Sequence, residues 1–281
     1  MRGRPSLFFL ALKSVFIVVF IGAALASAAT ASAQNASPAD PVTTASTAAP
    51  AAAPDSSKTL PTVAEILQKY ETAEGGRDAW THFSTRYMKG IYQTEDASFF
   101  AAIERSDKAP NKTFSKITMP NGVVVREVCD GKSAWIEDAR GGIHDFVGAA
   151  LESHLREARF DSGVILLLAI SAGKTVATAQ VGAHSTYVVD FTPQKDTSSK
   201  VYFDTESGFP VRVDDILHRA DGDFAVQTFL DDYRPVDGVY FPFRIRHVEK
   251  GNVFTVRVTQ IKDNPPIDDS IFQKPDVVTS R

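Results

Sequence analysis

The chain has 281 residues, a formal net charge of −4 and 43 % hydrophobic residues, including nineteen phenylalanines that indicate a large core. An acidic chain without a basic run is a poor binder of nucleic acid and gains nothing from an anionic lipid surface. Its single cysteine, Cys129, excludes an intramolecular disulfide and a cysteine zinc cluster.

Residues 1–33 predict a secretory signal peptide. Three basic residues and no acidic one lie in this segment, together with an apolar run over 15–25, and cleavage is expected near Ala33, with 26–28 as the alternative. The apolar run is short for a membrane span, so an uncleaved anchor is the minor alternative. Removal of the three basic residues changes the formal net charge from −4 to −7.

Residues 34–60 are mainly Ala, Pro, Ser and Thr. Such a segment has too little apolar surface to offset the entropy of ordering, which predicts a disordered tether. The remaining sequence predicts a folded domain over 61–275, followed by a short tail over 276–281. The length of that domain is typical of a single folding unit.

The domain opens with a helix signal. Thr62 and Glu65 have the spacing of a capping box, and Gly75-Gly76 is a typical helix end. Between them, one apolar stripe has helical spacing; its members are Val63, Ile66, Leu67 and Tyr70. The simplest interpretation is a helix that packs against one side of a sheet.

Strand signals separated by turn residues follow on both sides of a central break. Short segments with a period of two at this spacing predict an antiparallel meander. A single sheet of about a dozen strands must curl, so we expect a mainly β (α+β) fold with a half-open barrel. The predicted strands span 86–93, 98–106, 113–119, 123–129, 132–138, 174–181, 185–192, 199–204, 209–217, 224–232, 239–248 and 253–261.

The break over 147–170 predicts helix instead. Its first part places apolar residues at helical spacing, with Glu152, His154, Arg156 and Glu157 mostly on the other side, and an almost wholly apolar run follows Gly163. A core helix that caps one face of the sheet is the simpler interpretation. The functional alternative is a helical lid over a cavity of lipid size.

The segment 229–248 contains the clearest hairpin. A turn at Pro235–Gly238 separates two strands, and Asp-Gly supplies the positive φ that a tight turn needs. After the turn, Phe241 and Phe243 fall on one face. Pro242 cannot donate to a ladder, so we expect it at a bulge or an open edge.

The sequence lacks the usual motifs of catalysis and metal binding. Its six histidines do not pair at metal-ligand spacing, and neither a nucleophile elbow nor a phosphate-binding glycine loop occurs. The acidic pairs at 214–215, 231–232 and 268–269 are interpreted as solvated turn acids, and Cys129 as a small core residue. The sequence therefore predicts no catalytic residue, metal ligand or cofactor.

Five segments together resemble the bacterial outer-membrane lipoprotein-sorting (LolA-like) superfamily. Each is mostly hairpin and packing residues, and their order and spacing carry the resemblance across the predicted domain. They are Tyr70–Gly76, Gly131–Trp135, Tyr202–Gly208 with Arg212, Asp232–Gly238, and Asn264–Phe272.

The resemblance implies a periplasmic, non-enzymatic half-barrel with a helical lid, which holds acyl chains of lipids or lipidated proteins and needs no cofactor. Inner- or outer-membrane receptors are possible partners, and a monomer is expected. A lipid-sensing or regulatory domain, a solid-core interaction module and, further away, a hydrolase are the alternatives. The predicted lumen and lid residues are Phe99, Ile103, Trp135, Leu151, Leu155, Leu166, Phe203, Phe241 and Phe243.

Overall fold

The structure is a computed structural model that describes residues 59–76, 82–194, 197–219 and 222–275. The predicted signal peptide, nearly all of the predicted tether and the predicted tail lie outside the described residues.

Thirteen strands and three α-helices make up the described chain. Helix α1 is Val63–Glu74, α2 is Gly148–Ala158 and α3 is Ser162–Ser171, and a short 3-10 helix is Asp269–Phe272. The strands are β1 Thr85–Thr94, β2 Phe100–Lys108, β3 Lys112–Thr118, β4 Val124–Cys129, β5 Ala134–Glu137, β6 Ile143–Asp145, β7 Lys174–Val181, β8 His184–Gln194, β9 Thr197–Asp204, β10 Pro210–Arg219, β11 Gly222–Val236, β12 Val239–Glu249 and β13 Asn252–Asp263.

All thirteen strands belong to one antiparallel sheet. Their order is β6-β5-β4-β3-β2-β1-β13-β12-β11-β10-β9-β8-β7, so the first and last strands pair at the centre while β6 and β7 form two unjoined edges. The fold is therefore mainly β, with a curved sheet that stays open as a half-barrel, as predicted. The sequence predicts twelve strands; the thirteenth, β6, has only three residues and is too short to show an alternating pattern.

The two faces of the sheet differ in composition. We call the face that contacts α1 and α3 the inner face and the opposite one the outer face. Cross-strand neighbours on the inner face are apolar along successive strands, as in the row Ala101, Tyr92, Val256, Ile245 and Leu230. These side chains are at most 6 % exposed and belong to the main hydrophobic cluster.

Helix α1 closes one end of the inner face. The predicted capping box is present, because Thr62 and Glu65 exchange hydrogen bonds at the first turn. Gly75 ends the helix with a φ of 120°, and a Cβ there would lie 2.1 Å from the carbonyl oxygen of Gly238. Glycine thus allows the end of α1 to lie directly against the hairpin between β11 and β12.

Helices α2 and α3 connect the two sheet edges, since they follow β6 and precede β7. Helix α2 packs on β4 and β5, and α3 packs mainly on β8 and also contacts α1. Leu166, Leu167 and Ile170 bury the inward side of α3 in the main cluster, whereas Ile165 and Leu168 are exposed. The helices found in the described chain are all too short or too polar to cross a membrane.

The central hairpin follows the sequence prediction. Asp237 and Gly238 have φ values of 49° and 88°, and positive φ at both central residues is typical of the type I′ turn that suits twisted strands. The ladder between β12 and β13 begins at Arg244, so Pro242 lies outside it and no donor is missing from that ladder.

Candidate apolar ligand-binding site

Six of the nine predicted lumen and lid residues come together on the inner face. Ile103, Leu166, Phe203, Phe241 and Phe243 are between 0 % and 9 % exposed and belong to the main hydrophobic cluster. Phe99 is half-buried and packs against the same cluster. The residues come from three strands, one loop and one helix, which the curvature of the sheet and the helix connection bring together.

Trp135 lies on the other side of the sheet. It is buried in a small outer cluster with Val128 and Phe272, where the C-terminal 3-10 helix covers the sheet. Its neighbour Ala134 packs in a different cluster, which includes Cys129 and faces α2. Because successive strand residues point to opposite faces, Trp135 does not reach the inner cluster.

Leu151 and Leu155 lie on α2, away from the main cluster. Both are half-buried and pack against Cys129, Ala134 and Ala158. The prediction that Cys129 is a small core residue is confirmed, since it is buried and burial raises the pKa of its thiol. The two leucines therefore attach α2 to β4 and β5 at the border of the inner face.

The polar side of α2 is not where the sequence pattern predicts it. His154 is buried, stacks on Phe146 at 3.8 Å, and has its Nε2 3.3 Å from a carboxylate oxygen of Glu127 on β4. Burial lowers the pKa of His154, but the Glu127 carboxylate, the Ala150 carbonyl and the charge of Glu157 together outweigh that effect, and the pKa lies above its ordinary value. Burial raises the pKa of the neighbouring Glu157 to about 7. Helix α2 thus rests on the sheet through an ionisable contact as well as through leucines.

Asp215 is a buried inner-face residue, which corrects its interpretation as a solvated turn acid. It lies in the middle of β10, is 7 % exposed, and accepts a hydrogen bond from the Ser199 hydroxyl. Burial raises the pKa of its carboxyl to about 6, against the lowering effect of Ser199. Asp214 points to the outer face and pairs with Arg212 at 2.6 Å. The alternation along Val211 and Val213 could have revealed this placement.

His247 is a second buried polar residue that the sequence did not single out. It is 0 % exposed on β12, on the same face as Phe241 and Phe243, and its Nδ1 lies 3.0 Å from Thr228 Oγ1. Burial lowers the pKa of His247 to about 4, so the imidazole is neutral at pH 7. The period of two in β12 places it inward, and that signal was available in the sequence.

One outer-face triplet has the bonding order of a serine hydrolase. Ser198 Oγ lies 2.9 Å from His218 Nε2, and His218 Nδ1 lies 2.8 Å from Asp223 Oδ1. His218 and Asp223 are 44 % and 66 % exposed, so water competes for both hydrogen bonds, whereas such catalysis depends on a preorganised site that excludes water. We assign no catalytic role to it. Across the described ranges, His, Cys, Asp and Glu side chains do not gather in groups of three that could hold a metal ion.

Comparison with known proteins identifies the fold. The sequence matches no protein-family model and no curated protein. Among solved structures, a LolA superfamily protein from Nitrosomonas europaea aligns over 76 % of this chain and 99 % of its own, with a TM-score of 0.50 and 13 % identity. A DUF1329 family protein from Desulfovibrio piger aligns over 75 % and 95 %, with a TM-score of 0.52 and 11 % identity. The chain has the LolA-like fold, and the resemblance seen in its sequence is confirmed at the level of architecture.

Proposed function

We propose that this protein is an exported, non-enzymatic binder of apolar ligands that carries lipids or lipidated proteins through the periplasm. The supporting observation is the inner face itself. An unclosed sheet presents one continuous apolar cluster that is covered by the short helices α1 and α3 rather than by a second sheet. Acyl chains suit such a surface, because each buried methylene contributes about 0.8 kcal/mol.

Ligand entry requires a helix to move. The five buried residues of the predicted site are at most 9 % exposed, so an acyl chain reaches them only after α3 withdraws from the sheet. Helix α2 has the smaller apolar contact, formed by half-buried Leu151 and Leu155. We therefore assign the lid function to α2 and α3 together: α2 detaches first, and α3, which covers the main cluster, follows because the two helices are joined by a short loop.

Native mass spectrometry tests the proposal directly. The full chain is expressed in a Gram-negative bacterium, purified from the periplasm, and measured before and after stripping with organic solvent. We expect a lipid-mass adduct that is lost on stripping and regained when phospholipid or lipoprotein is added. A bare mass before stripping, with no uptake of either ligand, would contradict the proposal. The mass of the isolated protein also tests the predicted cleavage near Ala33.

A double substitution tests the lid. Leu151→Asp plus Leu155→Asp places two carboxylates against the cluster of Cys129, Ala134 and Ala158, so we expect lipid uptake to be lost while the circular dichroism of the sheet is kept. The matched control is Ala149→Asp plus Arg156→Asp on the exposed side of α2, which should keep uptake. Retained uptake in the leucine variant would remove α2 from the lid function.

A solid-core interaction module is the second candidate. The near-complete burial of Phe203 and Phe241 favours it, because tightly packed side chains need no ligand to fill their space. In that case the inner face is an ordinary core, and partner proteins bind elsewhere. The mass-spectrometry experiment separates the two candidates, since a solid core takes up neither phospholipid nor lipoprotein.

A further inference from the structure

A polar contact site lies within the apolar inner face. His247 is 0 % exposed, and its Nδ1 is paired with Thr228 Oγ1, but its Nε2 has no hydrogen-bond partner among the residues that the structure describes. A buried polar atom without a partner carries a free-energy cost, because it has given up its hydrogen bonds to water. A ligand group that supplied the missing partner would recover that cost on binding.

The tautomer of His247 decides which hydrogen bond its unpaired nitrogen can make. Glu249 Oε2 lies 3.9 Å from Nε2, too far for a hydrogen bond. We assign the tautomer that has its hydrogen on Nε2, so that the Thr228 hydroxyl donates to Nδ1. The unpaired atom is a donor, and its complement in a ligand is an acceptor.

A series of aromatic rings leads to this donor from the border of the site. The ring of His247 lies 4.8 Å from Phe254, Phe254 lies 4.8 Å from Tyr92, and Tyr92 lies 6.0 Å from half-buried Phe99. These rings belong to β12, β13, β1 and the loop before β2, which are neighbours in the sheet. An acyl chain packed along them would bring its polar end to His247 or to the border near Phe99.

We propose that His247 donates a hydrogen bond to the acyl carbonyl of the bound ligand, so that the inner face selects esters and amides of fatty acids over plain hydrocarbon. This selectivity rests on the proposed binding function and names its ligand class. A neutral donor matches a carbonyl, which carries no charge to desolvate. Ester-linked acyl chains occur in glycerolipids and amide-linked ones in N-acylated proteins, and the carbonyl is common to both.

Calorimetric titration of the full chain tests the selectivity with three probes of matched length. Hexadecane, methyl palmitate and N-methyl palmitamide are delivered from cyclodextrin to the wild type and to His247→Leu. We expect the variant to weaken both carbonyl ligands about three- to tenfold, the size of one neutral hydrogen bond. Hexadecane binding should stay the same or improve. Loss for the ester alone would assign the site to glycerolipids, and loss for the amide alone would assign it to N-acylated molecules.

Two further variants distinguish the loss of one hydrogen bond from a general loss of folded structure. His247→Gln keeps an amide donor at this position and should retain part of the preference for carbonyl ligands. Asp215→Asn alters another buried polar residue of the same face, one already paired with Ser199, and should keep the full preference. Equal weakening of all three probes in His247→Leu would overturn the inference and leave the binding function in place. Failure of the wild type to bind any probe would overturn both.

Discussion

Charged and polar residues occur on both faces of the sheet, but they are exposed on the outer face and buried on the inner face. On the outer face, charged residues form exposed pairs such as Arg244 with Asp231 at 3.5 Å, and one small cluster around Trp135 is covered by the C-terminal segment. On the inner face, Asp215 and His247 lie among apolar side chains and have shifted pKa values. Burial, rather than residue identity, therefore decides what each polar group contributes.

Adjacent residues show this most directly. Asp214 and Asp215 are one peptide bond apart on β10, and their partners are an arginine on the outer face and a serine on the inner face. A solvent-exposed ion pair adds little to stability because water and salt screen it. A buried carboxyl is costly in its charged form and takes up a proton instead. The inner-face carboxyl of Asp215 therefore changes charge at a higher pH than an ordinary aspartate does.

The largest expected effect on stability comes from truncating a large buried side chain of the inner face. Phe241 is 0 % exposed, and the guanidinium carbon of Arg86 lies 4.2 Å from its ring centre. Phe241→Ala should lower the free energy of unfolding by about 3 to 5 kcal/mol, measured by urea titration. Phe100 on the outer face is 53 % exposed, and Phe100→Ala should change stability by less than about 0.5 kcal/mol. Similar losses for both variants would contradict the assignment of the faces.

The next effect concerns pH. Because burial raises the pKa of Asp215 from 3.8 to about 6, the folded protein holds this proton more tightly than the unfolded chain does. The stability from this group is complete below about pH 4 and is lost as pH rises through 6. Asp215→Asn should therefore gain about 2 kcal/mol relative to the wild type between pH 4 and pH 7.5, measured by urea titration at each pH.

Asp214→Asn is the matched control for that experiment. It alters the neighbouring carboxyl on the outer face, leaves the Ser199–Asp215 contact in place, and should keep most of the wild-type pH dependence. An equal pH-dependent gain in both variants would show that burial of Asp215 is not its origin.

The smallest effect is expected for an outer-face ion pair. Arg126 on β4 and Glu137 on β5 are cross-strand neighbours with side chains 37 % and 24 % exposed. A double-mutant cycle with Arg126→Ala and Glu137→Ala should give a coupling below about 1 kcal/mol that falls further in 1 M salt. A coupling that is larger and insensitive to salt would mean that this part of the outer face is shielded from water.

The sequence predicts the elements better than it predicts the site. Alternation and turn residues suffice to locate twelve strands, the capped first helix and the central hairpin, because these signals are local. Trp135 and His154 are misplaced because the face of a residue depends on strand register and on helix rotation, which distant contacts determine. Trp135 is held outward by Phe272, more than 130 positions along the chain, and His154 is held inward by Glu127.

The two unjoined edges of the sheet have a mechanical consequence. A closed barrel has its radius fixed by strand number and stagger, so widening it means breaking backbone hydrogen bonds. Here β6 and β7 are linked only through α2 and α3, and every strand-to-strand ladder can stay intact while the distance between these edges changes. The cross-section of the interior can therefore change through small increments of twist spread over twelve strand pairs. Under the proposed binding function, such an interior would accept ligands with different numbers of acyl chains.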